Sequence, residues 1–234
     1  MFLIWLIPGI LTALLLLLLF AIKPARRRDT TKPFAAQKYA HRGLWDETSP
    51  ENSLAAFEKA VSAGVGIELD VQLSSDGEVM VFHDENLFRM TGCDASLYDK
   101  DKDFLTSLRL LDTDARIPML SEVLALVRGR VPILVEIKSD HDYRAVCEKT
   151  AVLLDEYEGA YLVESFHPLA VAWFRKNRPS VVRGQLSARL FKDKKYRRDS
   201  YLFERRNLSR MRLAFRGQPS EDYRASRGIV SQRY

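Results

Sequence analysis

Strand-type apolar runs alternate with amphipathic helical patterns through the middle of the chain, and this alternation limits its fold more than any other feature. The predicted strands are residues 38–43, 66–73, 78–82, 131–137, 160–163 and 181–186, and the predicted helices are 52–63, 120–127, 142–157 and 167–176. Strands that alternate with helices predict a parallel α/β sheet, and about six of them favour a (β/α) barrel. Periodicity alone leaves a doubly wound sheet as an alternative.

Composition agrees with a folded domain rather than a disordered, fibrous or disulfide-rich chain. Of the 234 residues, 47% are hydrophobic and 29% are charged, which is ordinary for a globular protein. The two cysteines, Cys93 and Cys147, are too few for a disulfide scaffold or a cysteine-based zinc cluster.

An uncharged apolar segment occupies residues 2–22. As a helix it would be about 31 Å long, close to the thickness of the bilayer hydrocarbon. Lys23 and residues 26–28 (RRR) follow it directly, so the positive-inside rule predicts a single-pass transmembrane helix (residues 1–22) with the rest in the cytoplasm. A secretory signal peptide would carry basic residues before the apolar stretch. A buried core helix is a further alternative, and a basic, polar linker is predicted over residues 23–37.

Carboxylates interrupt two of the apolar strands. Glu68 and Asp70 are two residues apart on one strand, so their side chains share a face, and Glu136 lies near the end of another strand, two residues before Lys138. Because an unpaired buried carboxylate is costly, these groups imply a cationic partner. Three carboxylates without thiols suit a hard divalent cation, Ca²⁺ or Mg²⁺.

Two histidines each end a predicted strand. His41 precedes Arg42, and His83 precedes Asp84. In a parallel barrel the carboxyl ends of the strands meet at the active-site face, so the histidines, the carboxylates, Arg42 and Lys138 are expected to share one opening. Such a set suits metal-assisted cleavage of a phosphate ester. A lone strand-end histidine is more often structural, and only the joint occurrence favours catalysis.

The order of these motifs resembles the glycerophosphodiester phosphodiesterase family. The resemblance runs from about residue 39 to residue 186 and rests on His41-Arg42-Gly43, Pro50-Glu51-Asn52-Ser53, Glu68-Leu69-Asp70-Val71, Asp76-Gly77, His83-Asp84, Pro118-x-Leu120-x-Glu122-Val123 and Glu136-Ile137-Lys138. It implies a (β/α)₈ TIM-type barrel that hydrolyses glycerophosphodiesters to glycerol 3-phosphate and an alcohol.

The resemblance also implies roles for individual residues. His41 and His83 would be the general acid and base, Arg42 and Lys138 would contact the phosphate, and Glu68, Asp70 and Glu136 would bind the metal, Ca²⁺ or Mg²⁺. Glu51, Asn52 and Asp84 would support the site: Asn52 has a helix cap as its alternative role, and Asp84 would orient His83.

The end of the chain departs from the family pattern. Residues 189–234 form a predicted basic tail, with 14 Lys and Arg against 5 Asp and Glu, and they lack the last two strands that the family requires after the barrel-like residues 38–188. Three accounts are open: a truncated or frame-shifted product that stops being family-like after about Asn207, a natural variant that covers the open sheet edge with its tail or a second copy, or a binding protein.

Three functions follow from these expectations. The first is a membrane-anchored, metal-dependent phosphodiesterase with a small glycerophosphodiester as substrate. The second is an inactive, membrane-anchored remnant, and the third is a lysophospholipase D acting on membrane lipids. Contact of the basic tail with anionic lipid is a possible additional role, whereas no nucleic-acid-binding signature accompanies the arginines.

Overall fold

One mixed sheet forms the centre of the structure. The structure is a computed structural model, and it describes residues 2–21, 28–35, 37–138 and 141–186. Within these residues the strands are β1 (Tyr39–His41), β2 (Gly66–Leu73), β3 (Val79–Val81), β4 (Ile133–Ile137), β5 (Tyr161–Ser165) and β6 (Val182–Gln185). Five of them are parallel in the order β1-β2-β4-β5-β6. The predicted α/β fold with a parallel sheet is therefore confirmed.

In the part of the chain that the structure describes, two helices precede the first strand, and the others lie between strands. They are α1 (Phe2–Ala21), α2 (Arg28–Ala35), α3 (Leu54–Ser62), α4 (Phe88–Thr91), α5 (Lys102–Ser107), α6 (Leu120–Val127), α7 (Tyr143–Asp155) and α8 (Pro168–Asn177), with a short 3₁₀ helix at Leu97–Asp99. Ser53 begins α3, because its side chain accepts a hydrogen bond from the Ala56 N–H. Asn52, for which the sequence offered a helix cap as an alternative role, instead donates a hydrogen bond to Asp70.

The third strand departs from the predicted parallel arrangement. β3 pairs antiparallel with the end of β2, from Leu73↔Val79 to Val71↔Val81. The connection turns at Gly77, whose φ of 83° is accessible to glycine, and it is far too short for a parallel crossover. Three short helices that the sequence patterns do not predict (α4, the 3₁₀ helix and α5) then lead to α6.

Successive side chains of β2 point alternately toward the apolar core and toward the candidate site. Ile67, Leu69 and Val71 are fully buried in the main apolar cluster, where the sheet packs against the helices. Glu68 and Asp70 consequently point to the opposite face. A second, smaller apolar cluster lies beneath the short helices after β3.

The two ends of the chain bear on several of the predictions. Among the helices in the described part of the chain, none is both long and apolar enough to cross a membrane, and in α1 the structure describes the side chains of residues 7–17 only. The predicted transmembrane helix therefore stays a prediction. Within the predicted linker, α2 forms, and the Tyr39 hydroxyl donates a hydrogen bond to the Phe34 carbonyl at 3.3 Å. The predicted tail (189–234) and the predicted loss of the last two strands lie outside the described residues.

Candidate functional site

Three of the predicted carboxylates meet at the carboxyl ends of neighbouring strands. Oxygen atoms of Glu68, Asp70 and Glu136 all lie within 4.8 Å of one another, and the three residues are 3%, 0% and 6% exposed. Strand register explains the meeting, since Asp70 on β2 is level with Glu136 on β4. The structure thus brings together the set predicted to bind a metal.

Asp70 lies at the centre of the hydrogen-bonded part of this cluster. Its carboxylate pairs with Lys138 Nζ at 2.9 Å and with Arg42 Nε at 3.4 Å, and it accepts a hydrogen bond from Asn52 Nδ2 at 2.9 Å. Lys138 also pairs with Glu136 at 2.6 Å. Burial alone would raise the pKa of Asp70, but the charges of Lys138, His83 and Arg42 outweigh it and hold that pKa low.

Glu68 is the least compensated carboxylate of the three. It accepts one hydrogen bond from the Arg42 N–H at 3.0 Å, and His41 Nε2 lies 4.0 Å away. Burial and then the neighbouring carboxylates, Asp70 first, raise the pKa of Glu68 well above its usual range. An all-oxygen set with surplus negative charge fits a divalent cation such as Ca²⁺ or Mg²⁺.

The two histidines lie beside the carboxylates at the same opening. His83 Nδ1 is 2.6 Å from Asp84 Oδ1, which fixes the ring and leaves Nε2 available. Burial lowers the pKa of both His41 and His83, and each ring also experiences the charges of Asp70 and Arg42. Both side chains keep about a third or more of their surface exposed, so they are accessible to a substrate.

Arg89 connects the residue that holds His83 with the residue that holds Arg42, and the sequence patterns did not predict this role. Its guanidinium donates to Asp84 Oδ2 and to Glu51 Oε1, both at 2.5 Å. Asp84 holds His83, and Glu51 accepts a hydrogen bond from Arg42 at 2.8 Å. The position carries no local signal, because the partners of Arg89 lie on separate segments that only the fold brings together.

Glu164 on β5 is the second residue that the sequence reasoning missed. It is level with Glu136 in the parallel pairing and is 8% exposed. Burial, followed by the charges of Glu136 and Asp70, raises the pKa of Glu164 to about 8. A signal did exist: Val163-Glu164 in an apolar strand repeats the Val135-Glu136 pattern, but the predicted strand ended at residue 163.

Comparison with known proteins supports the resemblance. A model of the glycerophosphoryl diester phosphodiesterase family matches residues 41–208. A glycerophosphodiester phosphodiesterase of Bacillus altitudinis is 37% identical over 155 residues, which are 61% of this chain and 63% of that protein. A lysophospholipase D of Rattus norvegicus is 31% identical over 166 residues, 65% of this chain and 51% of that protein. The chain thus spans less than two thirds of either relative.

Solved structures agree on the fold. A phosphodiesterase of Oleispira antarctica, in complex with the product sn-glycerol-3-phosphate, superposes with a TM-score of 0.63 at 23% identity, covering 80% of this chain and 84% of that one. The family match covers more than half of this chain and includes both histidines and all three clustered carboxylates. The chain therefore belongs to the glycerophosphoryl diester phosphodiesterase family.

Proposed function

We propose that this chain hydrolyses glycerophosphodiesters to glycerol 3-phosphate and an alcohol, with a divalent cation as cofactor. The observation that carries the proposal is the convergence of three buried carboxylates, two accessible histidines and two cationic side chains at one end of a parallel sheet. The glycerol-3-phosphate complex of the Oleispira antarctica relative supports a small-molecule substrate of this class.

In this proposal each side chain has one task. Glu68, Asp70 and Glu136 would hold the cation, which when bound would stabilise negative charge on the phosphoryl oxygens. Arg42 and Lys138 bind the phosphate through their charged hydrogen-bond donors. One histidine takes the proton from the attacking hydroxyl, whether of the substrate or of water, and the other protonates the leaving alcohol.

Release of glycerol 3-phosphate by the full chain tests the proposal directly. Purified protein should release it from glycerophosphocholine with Ca²⁺ or Mg²⁺, and chelator should stop the release, because it removes the cation that would stabilise negative charge on the phosphoryl oxygens. No release by folded protein with either ion would contradict the proposal and favour the inactive remnant.

A lysophospholipase D activity is the second candidate, and the rat relative of that name supports it. An anchor formed by residues 2–22, with the catalytic domain on the cytoplasmic side of the cell membrane, would hold the site close to such lipids. Faster turnover of lysophosphatidylcholine than of glycerophosphocholine would favour this candidate. Alkaline extraction of membranes, with and without residues 1–22, tests the anchor itself.

Arg89 provides a prediction about the support of the site. Replacing Arg89 with alanine removes the donors that hold Asp84 and Glu51, so turnover should fall about 10–100-fold, as for other outer partners of catalytic groups. Arg89→Lys should recover only part of the loss, because one ammonium poorly replaces the two-armed guanidinium.

Arg130 is the matched control for this prediction. Its side chain is 48% exposed, as is that of Arg89, and it pairs with Glu58 rather than with a residue of the site. Arg130→Ala should leave turnover within about twofold, since exposed ion pairs contribute little. Equal losses in Arg89→Ala and Arg130→Ala would show that Arg89 does not position the site.

A further inference from the structure

Glu164 is a buried carboxylate that has no hydrogen-bond donor or ion-pair partner among the described residues. The residue is more than nine-tenths buried on β5. Burial of an unpartnered carboxyl group costs free energy whether the group stays charged or takes up a proton, and a cation that binds the carboxylate would offset that cost. The carboxylate therefore requires an explanation that the protein's own side chains do not supply within the described structure.

Strand register directs Glu164 toward the carboxylate cluster. Asp70, Glu136 and Glu164 occupy one level across the adjacent parallel strands β2, β4 and β5. Residues at one level of a parallel sheet point to the same face, which is the face opposite the apolar core. The next residue at this level is Gly184 on β6, so no side chain covers the carboxylate from that strand.

Charge around this face is out of balance. Four carboxyl groups, those of Glu68, Asp70, Glu136 and Glu164, share it, and the oxygens of the first three lie within 4.8 Å of one another. When all four are ionised, as cation binding requires, Arg42 and Lys138 supply two positive charges against them. Lys138 is already paired directly with Asp70 and Glu136. Its charge reaches Glu164 only as a minor effect, behind burial and the two neighbouring carboxylates. A divalent cation would restore the balance.

We propose that Glu164 is a fourth carboxylate of the divalent-cation site and that it favours Ca²⁺ over Mg²⁺. The inference rests on the cation site of the proposed function. Ca²⁺ takes six to eight oxygen ligands, whereas Mg²⁺ keeps several waters and usually one or two carboxylates. A fourth carboxylate at the site therefore contributes more to Ca²⁺ binding than to Mg²⁺ binding.

The test is the nearly isosteric variant Glu164→Gln in the full chain, with Ca²⁺ and Mg²⁺ binding measured by titration calorimetry and no substrate present. The Ca²⁺ dissociation constant should rise about tenfold or more, as for other groups that support a metal site, and the Mg²⁺ constant about threefold or less. Glu164→Asp keeps the charge and should retain most of the Ca²⁺ affinity. Glu148→Gln, at an exposed position on α7, is the matched control and should change neither constant.

Thermal unfolding supplies a second measurement, in which Glu164→Gln should raise the melting temperature without cation but reduce the stabilisation by Ca²⁺. Without cation, Glu164→Gln should melt at a higher temperature than the wild type, because burying the carboxylate or protonating it on folding costs free energy that the neutral amide avoids. With saturating Ca²⁺ its gain in melting temperature should be smaller than that of the wild type. A purely structural Glu164 would instead make the variant less stable in both conditions.

The outcomes separate this inference from the proposed function. If the wild type binds neither ion, the cation site of the proposed function fails. If the wild type binds Ca²⁺ and Glu164→Gln binds it equally well, only the role of Glu164 fails. A Glu164→Gln protein that does not fold, or that melts earlier without cation, also overturns the inference, because Glu164 is then a structural residue.

Discussion

Replacing His83 with alanine is expected to lower the rate of glycerol 3-phosphate release about 10²–10⁴-fold, the range usual for loss of a general acid or base. The imidazole is held through Nδ1 by Asp84 and is accessible at the opening, so its removal takes away one of the two proposed proton-transfer groups. Steady-state rates with saturating cation, and a melting curve for each protein, provide the measurement. A loss below tenfold in folded protein would exclude His83 from the chemistry.

Asp84→Asn is the companion variant, and its effect has a defined sign. Burial, the largest influence, lowers the pKa of His83, while the hydrogen bond that the ring donates to Asp84 raises it. Removing the carboxylate charge should therefore move the limb of the pH–rate profile that His83 governs to lower pH, with a smaller loss of rate than His83→Ala. An unchanged profile would show that His83 does not govern that limb.

The largest expected effect on stability is at Gly43, directly after His41 and Arg42. Gly43 has a φ of 88°, and a Cβ there would lie 2.8 Å from Ala56 Cβ and 2.9 Å from the Ala56 carbonyl carbon in α3. Gly43→Ala therefore combines backbone strain with a clash against helix backbone, which should lower the free energy of unfolding by about 3 kcal/mol. Urea unfolding followed by circular dichroism measures the change.

Gly64→Ala separates the two contributions. Gly64 also has a positive φ, 67°, but no atom of the described residues lies within 4 Å of the position that a Cβ would take. Strain alone should cost about 1 kcal/mol there. Similar losses in both variants would mean that the close approach of Gly43 to α3 has no energetic effect of its own.

Local spacing explains why most of the site was predictable from the sequence. Glu68 and Asp70 interrupt an apolar strand at period two, and the hydrophobic residues between them determine which face is buried. Strand ends then place His41 and Glu136 at the same edge, because parallel strands present their carboxyl ends together. These inferences require only the chain direction and the alternation of side chains.

The features that were missed depend on contacts distant in sequence or on a boundary. Arg89 acquires its role from Glu51 and Asp84, which no spacing rule connects. Asn52 has a residue type typical of a helix cap, yet Ser53 caps α3 and Asn52, at a φ of 56°, donates to Asp70 instead. Glu164 was missed because the predicted strand ended two residues early, at residue 163 rather than Ser165, and strand ends are weakly determined by local composition.

Asp70, Glu136 and Glu164 are paired across adjacent strands, and this pairing limits where insertions and deletions can occur in such a chain. Loss of a single codon before the carboxylate in β4 or β5 would turn the following side chains to the other face and place Ile137 or Ser165 where Glu136 or Glu164 stood. The α7–β5 connection, residues 156–160, lies before β5 and tolerates a change of length without altering that alternation. Insertions and deletions among related chains should therefore accumulate in such connections, while the lengths of these strands stay constant.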